Sequence, residues 1–100
     1  MYELSRAIYR DLRPLLEVDR ARPGRVERIL LRSCERVVEG IAGGLNFFPT
    51  PAASMFADVR FLFPVRAQER VRVIIGGRVA EAQQQLGQAG TEGGPTPAGR

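Results

Sequence analysis

The segment VRFLFPVRAQERVRVII, residues 59–75, is compatible with two secondary structures that lead to different fold classes. Apolar and polar residues alternate in VRFLF and in ERVRVII, which is typical of strands, so one alternative is an α+β fold with a hairpin around residues 59–75. The AQE triplet at 67–69 forms strands poorly, and the run VAEAQQQLGQ further along has a helical pattern. We therefore predict helix rather than hairpin.

Just upstream, Thr50 and Pro51 are typical of a helix start, because the hydroxyl can cap free amides and proline is pre-set for the first helical position. The helix that they predict has a compact apolar face: Met55, Phe56, Val59, Leu62 and Phe63. Phe61 points the opposite way in a helix, whereas in a strand it would align with its neighbours two residues away. The surroundings of Phe61 therefore discriminate between the two structures.

Two amphipathic helices are predicted in the first half of the chain. The apolar face of the first contains Leu4, Ile8, Leu12, Leu15 and Leu16. Pro14 lies inside this pattern, and because the periodicity survives it, we expect one bent helix.

Pro23 and Gly24 then predict a turn. The second helix is expected to end at the AGG triplet, residues 42–44. Its apolar face contains Val26, Leu30, Cys34, Val37, Val38 and Ile41.

A fourth helix is predicted by the apolar residues Val71, Ile74, Ile75, Val79, Ala82 and Leu86. Gly76 and Gly77 interrupt this pattern at a cost of about 1 kcal/mol each, so two shorter helices are an alternative. From residue 87, GQAGTEGGPTPAGR has the glycine and proline content of a solvated tail. The sequence thus predicts a small all-α bundle of three to five helices, with a single helical domain over residues 1–86 and a disordered Gly/Pro-rich tail over 87–100.

The composition argues against an enzyme. The chain has 100 residues with no His and a single Cys, and all 15 of its basic residues are Arg. The commonest general base, the commonest metal ligand and the lysine of Schiff-base chemistry are missing, and one Cys is too few for a zinc site. Cys34 lies on an apolar face, where we expect it to act as a small hydrophobe. We predict no catalytic residue, cofactor, metal or small-molecule substrate.

The same features bear on the compartment. A single Cys excludes an internal disulfide, and the first ten residues carry charges where a signal peptide needs an apolar run. No window approaches the roughly 18 consecutive apolar residues of a membrane span. We therefore expect a cytoplasmic protein with no membrane partner.

All five phenylalanines lie in residues 46–64, and two of them belong to the predicted core face. Phe47, Phe48 and Phe61 are left as candidate protein-interaction residues, because aromatic side chains exposed together on a small domain usually mark a partner site. The alternative is that the bent first helix covers them and that Phe47 and Phe48 fold back over the core as a lid.

Four arginines share the polar face of the second helix: Arg25, Arg28, Arg32 and Arg36. Like charges four residues apart destabilise an isolated helix by about 0.2–0.5 kcal/mol per pair. In one interpretation Glu35 and Glu39, on the same arc, offset them. In the other, the arginines bind an acidic partner, either nucleic-acid phosphate or an acidic protein surface. A helix-turn-helix is not predicted, because the connection GGLNFFPT is too long and too aromatic for the usual short turn.

The leading functional hypothesis is a non-catalytic protein–protein interaction module, a small regulator or adaptor that binds another protein or a second copy of itself through the aromatic surface. The alternative is a DNA-binding or other nucleic-acid-associated protein that contacts phosphates through the four arginines. Salt distinguishes the two, because phosphate binding weakens steeply as salt rises, whereas an aromatic interface persists or tightens.

Overall fold

The computed structural model describes residues 2–17 and 24–92, and this part of the chain forms four α-helices. The helices are α1 (Tyr2–Leu12), α2 (Arg25–Ala42), α3 (Pro51–Val59) and α4 (Val65–Glu92), with 3-10 turns at Arg13–Leu15 and Arg60–Leu62. No strand occurs in the described residues. The all-α prediction is therefore confirmed, and the alternative of a hairpin around residues 59–75 is wrong.

The alternating segment forms the end of α3 and the beginning of α4. Phe61 is 69% exposed while its neighbours two residues away are buried, which is the isolation that the helical prediction requires. In α4, Val71 and Ile75 are buried four residues apart, whereas Val73 between them is 59% exposed. Burial thus follows the 3.6-residue period of a helix and not the two-residue period of a strand.

One hydrophobic core joins the four helices. The helices α1 and α3 each pack against both α2 and α4, and α2 and α4 also contact each other. The buried apolar side chains are, in chain order, Ile8, Leu12, Leu30, Cys34, Val37, Val38, Met55, Val59, Leu62, Phe63, Val71, Ile75, Val79 and Ala82. The remaining residues of the predicted apolar faces are partly buried and pack against this core. The predicted core residues are therefore confirmed.

The first helix ends earlier than predicted. The α-helix stops at Leu12, and Pro14 lies in the 3-10 turn Arg13–Leu15, after which Leu16 is extended. Proline has no amide proton to donate to the carbonyl four residues back, and its ring crowds that carbonyl. The amide of Leu16 instead donates to the carbonyl of Arg13 at 3.1 Å. The single bent helix is therefore wrong, although the two leucines after the proline still pack against the core.

The fourth helix is continuous over 28 residues, so the alternative of two shorter helices is wrong. Gly76 and Gly77 lie in its middle, where an added Cβ at either position would meet no atom within 4 Å. The buried side chains of Ile75 and Val79 hold this turn against the core from both sides. Tertiary packing therefore compensates for the poor helix propensity of the two glycines.

The fourth helix also extends into residues 87–92, the first part of the predicted tail. Packing against the core nucleates α4, and each residue added beyond the core contributes one more backbone hydrogen bond. The end of α4 is therefore not determined by apolar residues alone. Residues 93–100 of the predicted tail and Pro23 of the predicted turn lie outside the described residues. None of the described helices is both long enough and apolar enough to span a membrane.

The connection after α2 folds back onto that helix at Gly40. The chain reverses at Gly44, whose φ of 75° favours glycine, and the amide of Leu45 donates to the carbonyl of Gly40 at 2.8 Å. The ring of Phe47 then covers Gly40, where an added Cβ would lie only 2.8 Å from its Cε2 atom. The absence of a side chain at residue 40 therefore creates the space that Phe47 occupies.

Replacing one glycine of α2 and one of α4 by alanine should change the stability of the protein in different ways. We expect Gly77→Ala to raise the free energy of unfolding by about 0.5–1 kcal/mol, because alanine restricts the unfolded chain and meets no neighbour. Gly40→Ala must displace the ring of Phe47, so its free energy of unfolding should lie about 1–3 kcal/mol below that of the other variant. Urea denaturation followed by circular dichroism measures both. Equal stabilisation would contradict the packing of Phe47 on Gly40.

Candidate interaction surfaces

The three phenylalanines predicted to form one docking surface are separated in the structure. Phe47 is half-buried against the core, whereas Phe48 is 90% exposed and Phe61 is 69% exposed. Phe48 precedes α3 and Phe61 follows it, so about 13 Å of helix lies between the two exposed residues. Because its ring fills the space over Gly40, Phe47 is removed from the candidate surface.

The beginning of α3 is fixed as the sequence predicts. The amide of Ala53 donates to Oγ1 of Thr50 at 3.1 Å, and Pro51 occupies the first helical position. The preceding Phe48–Pro49 peptide bond is cis. Phe48 therefore lies in the connection immediately before a capped helix start.

The outward side of α3 carries small side chains. Ala53 and Ala57 are exposed, and Phe61 continues their line at the same four-residue spacing. These three residues and Phe48 are called the α3 face below. Ala53, Ala57 and Phe61 form an apolar strip along the helix, and Phe48 is assigned to the other end of this face by its exposure and its position just before α3.

Hydrogen bonds hold the turn that presents Phe61. The side chain of Gln68, in the second turn of α4, donates from Nε2 to the carbonyls of Arg60 and Phe63 at 3.1 and 3.5 Å. The amide of Phe63 also donates to the carbonyl of Arg60 at 3.1 Å. The backbone on both sides of Phe61 is therefore tied to α4, which fixes the position of this residue before any partner binds.

Two exposed apolar residues near the α3 face were not predicted. Val65 begins α4 four residues after Phe61 and is 85% exposed, and Leu45 is exposed in the connection before α3. Helical periodicity does not mark the exposure of Val65, because at 100° per residue it lies about 120° from the buried Val71 but only about 40° from the buried Val79. Leu45 lies in a connection without periodicity, and no pattern in the sequence marks its exposure.

The flanks of the α3 face carry one charge of each sign. Asp58 and Arg60 are exposed, and neither forms an ion pair with another described residue. The strip between them contains no charged side chain. Within α3 and the turn after it, the exposed charges are therefore one of each sign, unlike those on the outward side of α2.

The four predicted arginines of α2 form a second surface, called the arginine face below: Arg25, Arg28, Arg32 and Arg36. All four are exposed on the outward side of the helix. Within residues 2–17 and 24–92, no carboxylate lies within 4.0 Å of their guanidinium nitrogens. The offsetting ion pairs expected from Glu35 and Glu39 are thus not formed, and no carboxylate in residues 2–17 or 24–92 occupies the donors of these guanidinium groups.

The arginines of α4 differ in this respect. Arg78 donates to Asp11 of α1 at 2.6 Å and to Glu81 at 3.0 Å, and these two carboxylates raise its pKa above the ordinary value. Arg72 donates to Glu69 one turn earlier, which lowers the pKa of that carboxyl group. Ion pairing in the described residues is therefore found on α4 and on its contact with α1, away from the arginine face.

The outward side of α1 adds further arginines beside α2. Arg6, Arg10 and Arg13 are exposed, and they line a cleft of about 720 Å³ where α1 and the beginning of α2 meet. Glu17 and Glu27 also line this cleft, so its walls are mixed in charge. On the α2 side the cleft is lined by Val26 and Glu27, so the arginines of α1 are a second exposed basic group on a helix that packs against α2.

The side chain of Cys34 is fully buried in the core. Burial raises the pKa of its thiol to about 12, and the nearby Glu35 carboxylate acts in the same direction. Because the thiolate is the nucleophile, this group is protonated and unreactive at neutral pH. No group of three or more His, Cys, Asp or Glu residues in the described part of the chain is arranged to hold a metal ion.

Comparisons with known proteins gave no match to a family model, to a curated protein or to a solved structure. Function can therefore be inferred only from the burial, charge and geometry of the chain itself. On these criteria the α3 face and the arginine face are the two candidate surfaces.

The burial of Cys34 predicts its reactivity. We expect its thiol to resist an aromatic disulfide reagent in the native protein at about pH 8, well below its raised pKa, and to react fully in concentrated guanidinium. The Ala80→Cys variant supplies an exposed thiol on α4, outside the α3 face. In that variant one thiol should react before unfolding and the second only afterwards. Equal native rates for the two thiols would contradict the burial of Cys34.

Proposed function

We propose that this protein is a non-catalytic interaction module, of the regulator or adaptor kind, that self-associates through the α3 face. One observation carries the proposal: Phe48 and Phe61 are 90% and 69% exposed on either side of a helix that also exposes Ala53 and Ala57, with Asp58 beside them. Exposed aromatic residues are costly in water, and they are enriched in the buried centres of protein interfaces.

The layout of the α3 face suits a second copy of the same chain. Most soluble homo-oligomers have two-fold symmetry, in which the same surface of both copies meets itself. Met55 is the middle residue of α3, and Phe48 and Phe61 lie at nearly equal sequence distances before and after it. Two α3 helices packed antiparallel would therefore bring Phe61 of one copy close to Phe48 of the other, at both ends of the contact.

The alanines allow the two helices to approach. Packed helices lie about 8–10 Å apart, depending on the side chains between them, and alanines favour the short end of this range. Ala53 and Ala57 occupy the centre of the strip, so the aromatic residues at its ends would not be held apart by bulky groups. A short central distance with large residues at both ends is a self-complementary shape.

The charges beside the strip are compatible with this arrangement. In an antiparallel pair, Asp58 lies towards the beginning of the opposite α3, where the helix dipole is positive. The arginine face, by contrast, would repel a copy of itself. The α3 face is therefore the surface through which self-association is proposed.

Sedimentation equilibrium from micromolar to millimolar concentration tests the proposal. We expect a reversible dimer, and we expect Ala57→Arg to weaken it by at least about tenfold, because a long charged side chain would enter the centre of the strip. Phe48→Ser and Phe61→Ser should also weaken the dimer. Rising salt should leave the wild-type dimer intact or tighten it.

The matched control is Val73→Ser, which removes an exposed apolar side chain from the outward side of α4. We expect it to leave the dimer unchanged, and circular dichroism verifies that every variant is folded. A wild-type chain that stays monomeric throughout, or a dimer that survives both Ala57→Arg and Phe61→Ser, would refute self-association through the α3 face.

A further inference from the structure

We propose that the arginine face, together with the exposed arginines of α1, binds the phosphate backbone of double-stranded nucleic acid without reading its sequence. This site is separate from the α3 face and does not depend on self-association. It is argued from the exposure, pairing and spacing of the arginines.

The arginine face is a row of donors along α2 with which no carboxylate of the described residues forms an ion pair. Arg28, Arg32 and Arg36 follow one another at about 6 Å along the helix axis, and Arg25 extends the row to about 16 Å. Since none of these arginines forms an ion pair with a described carboxylate, no close contact there offsets the like-charge repulsion between neighbours. A polyanion laid along α2 would relieve this repulsion.

The surrounding surface is also basic. In the described residues up to the end of α2, seven arginines are exposed, against three exposed carboxylates: Glu3, Glu17 and Glu39. The arginines of α1 lie on a helix that packs directly against α2. A guanidinium group can form two parallel hydrogen bonds with one phosphate, so these residues supply both charge and suitable geometry.

Arginine is the main side chain that the outward side of α2 offers to a nucleic acid, and it can bind phosphates as well as the edge of guanine. The helix contains no Asn or Gln to recognise adenine and no aromatic residue on which an unpaired base could stack. Without these side chains we expect the arginines to contact chiefly phosphates, which predicts binding with little dependence on sequence. A rigid row of charges also suits a rigid duplex better than a flexible acidic peptide, which would lose conformational entropy on binding.

Fluorescence anisotropy with two unrelated short duplexes, titrated over a range of salt concentrations, tests the inference. The wild-type chain should bind both duplexes equally, with an affinity that falls steeply as salt rises. The triple variant Arg28→Gln, Arg32→Gln, Arg36→Gln should lower the slope of log affinity against log salt by about 2.7, or about 0.9 per lost contact. At about 0.1 M salt its affinity should fall on the order of 100-fold.

A second triple variant controls for net charge. Arg60→Gln, Arg66→Gln and Arg70→Gln remove three exposed arginines that belong to the turn before α4 and to α4 itself. This variant should keep nearly the wild-type slope, and circular dichroism shows whether both variants are folded. Equal losses in the two triple variants, no duplex binding at low salt, or tighter binding to polyglutamate than to the duplex would each overturn the inference.

Discussion

The apolar side of α4 is the surface on which the other three helices pack. Val71, Ile75 and Val79 are buried at four-residue intervals along it, and α1, α2 and α3 all contact this helix. A strand over the same residues would place Val73 on the same face as the buried Val71 and Ile75, whereas Val73 is 59% exposed. The bundle therefore requires helical periodicity here. The core holds α4 in place as one helix. The hydrogen bond from Gln68 of α4 to the carbonyl of Arg60 therefore attaches the turn that carries Phe61 to a fixed element.

Periodicity predicted the helices well because burial itself has a period of 3.6 residues. Every residue assigned to an apolar face is at least partly buried, and the isolation of Phe61 also follows from its angle on the helix. The end of α1 was missed because Pro14 changes backbone hydrogen bonding while the leucines after it still reach the core. A pattern of apolar residues records which side is buried, but not where the hydrogen bonds change.

The candidate surfaces were only partly predictable. Phe47 and Phe48 are adjacent and chemically identical, and what separates them is the space over Gly40, which exists only after the connection has folded back onto α2. Likewise, the proximity of Glu35 and Glu39 in sequence did not determine whether they pair with arginine. The two resulting surfaces differ in kind: one is apolar and insensitive to ions, and the other is cationic and screened by them.

Cys34 is the single cysteine of the chain, and the core encloses it. An assembly of folded copies therefore has no accessible sulfur for a covalent link between subunits. Its lifetime depends on the dissociation rate of a noncovalent contact, and it should be the same in oxidising and in reducing surroundings.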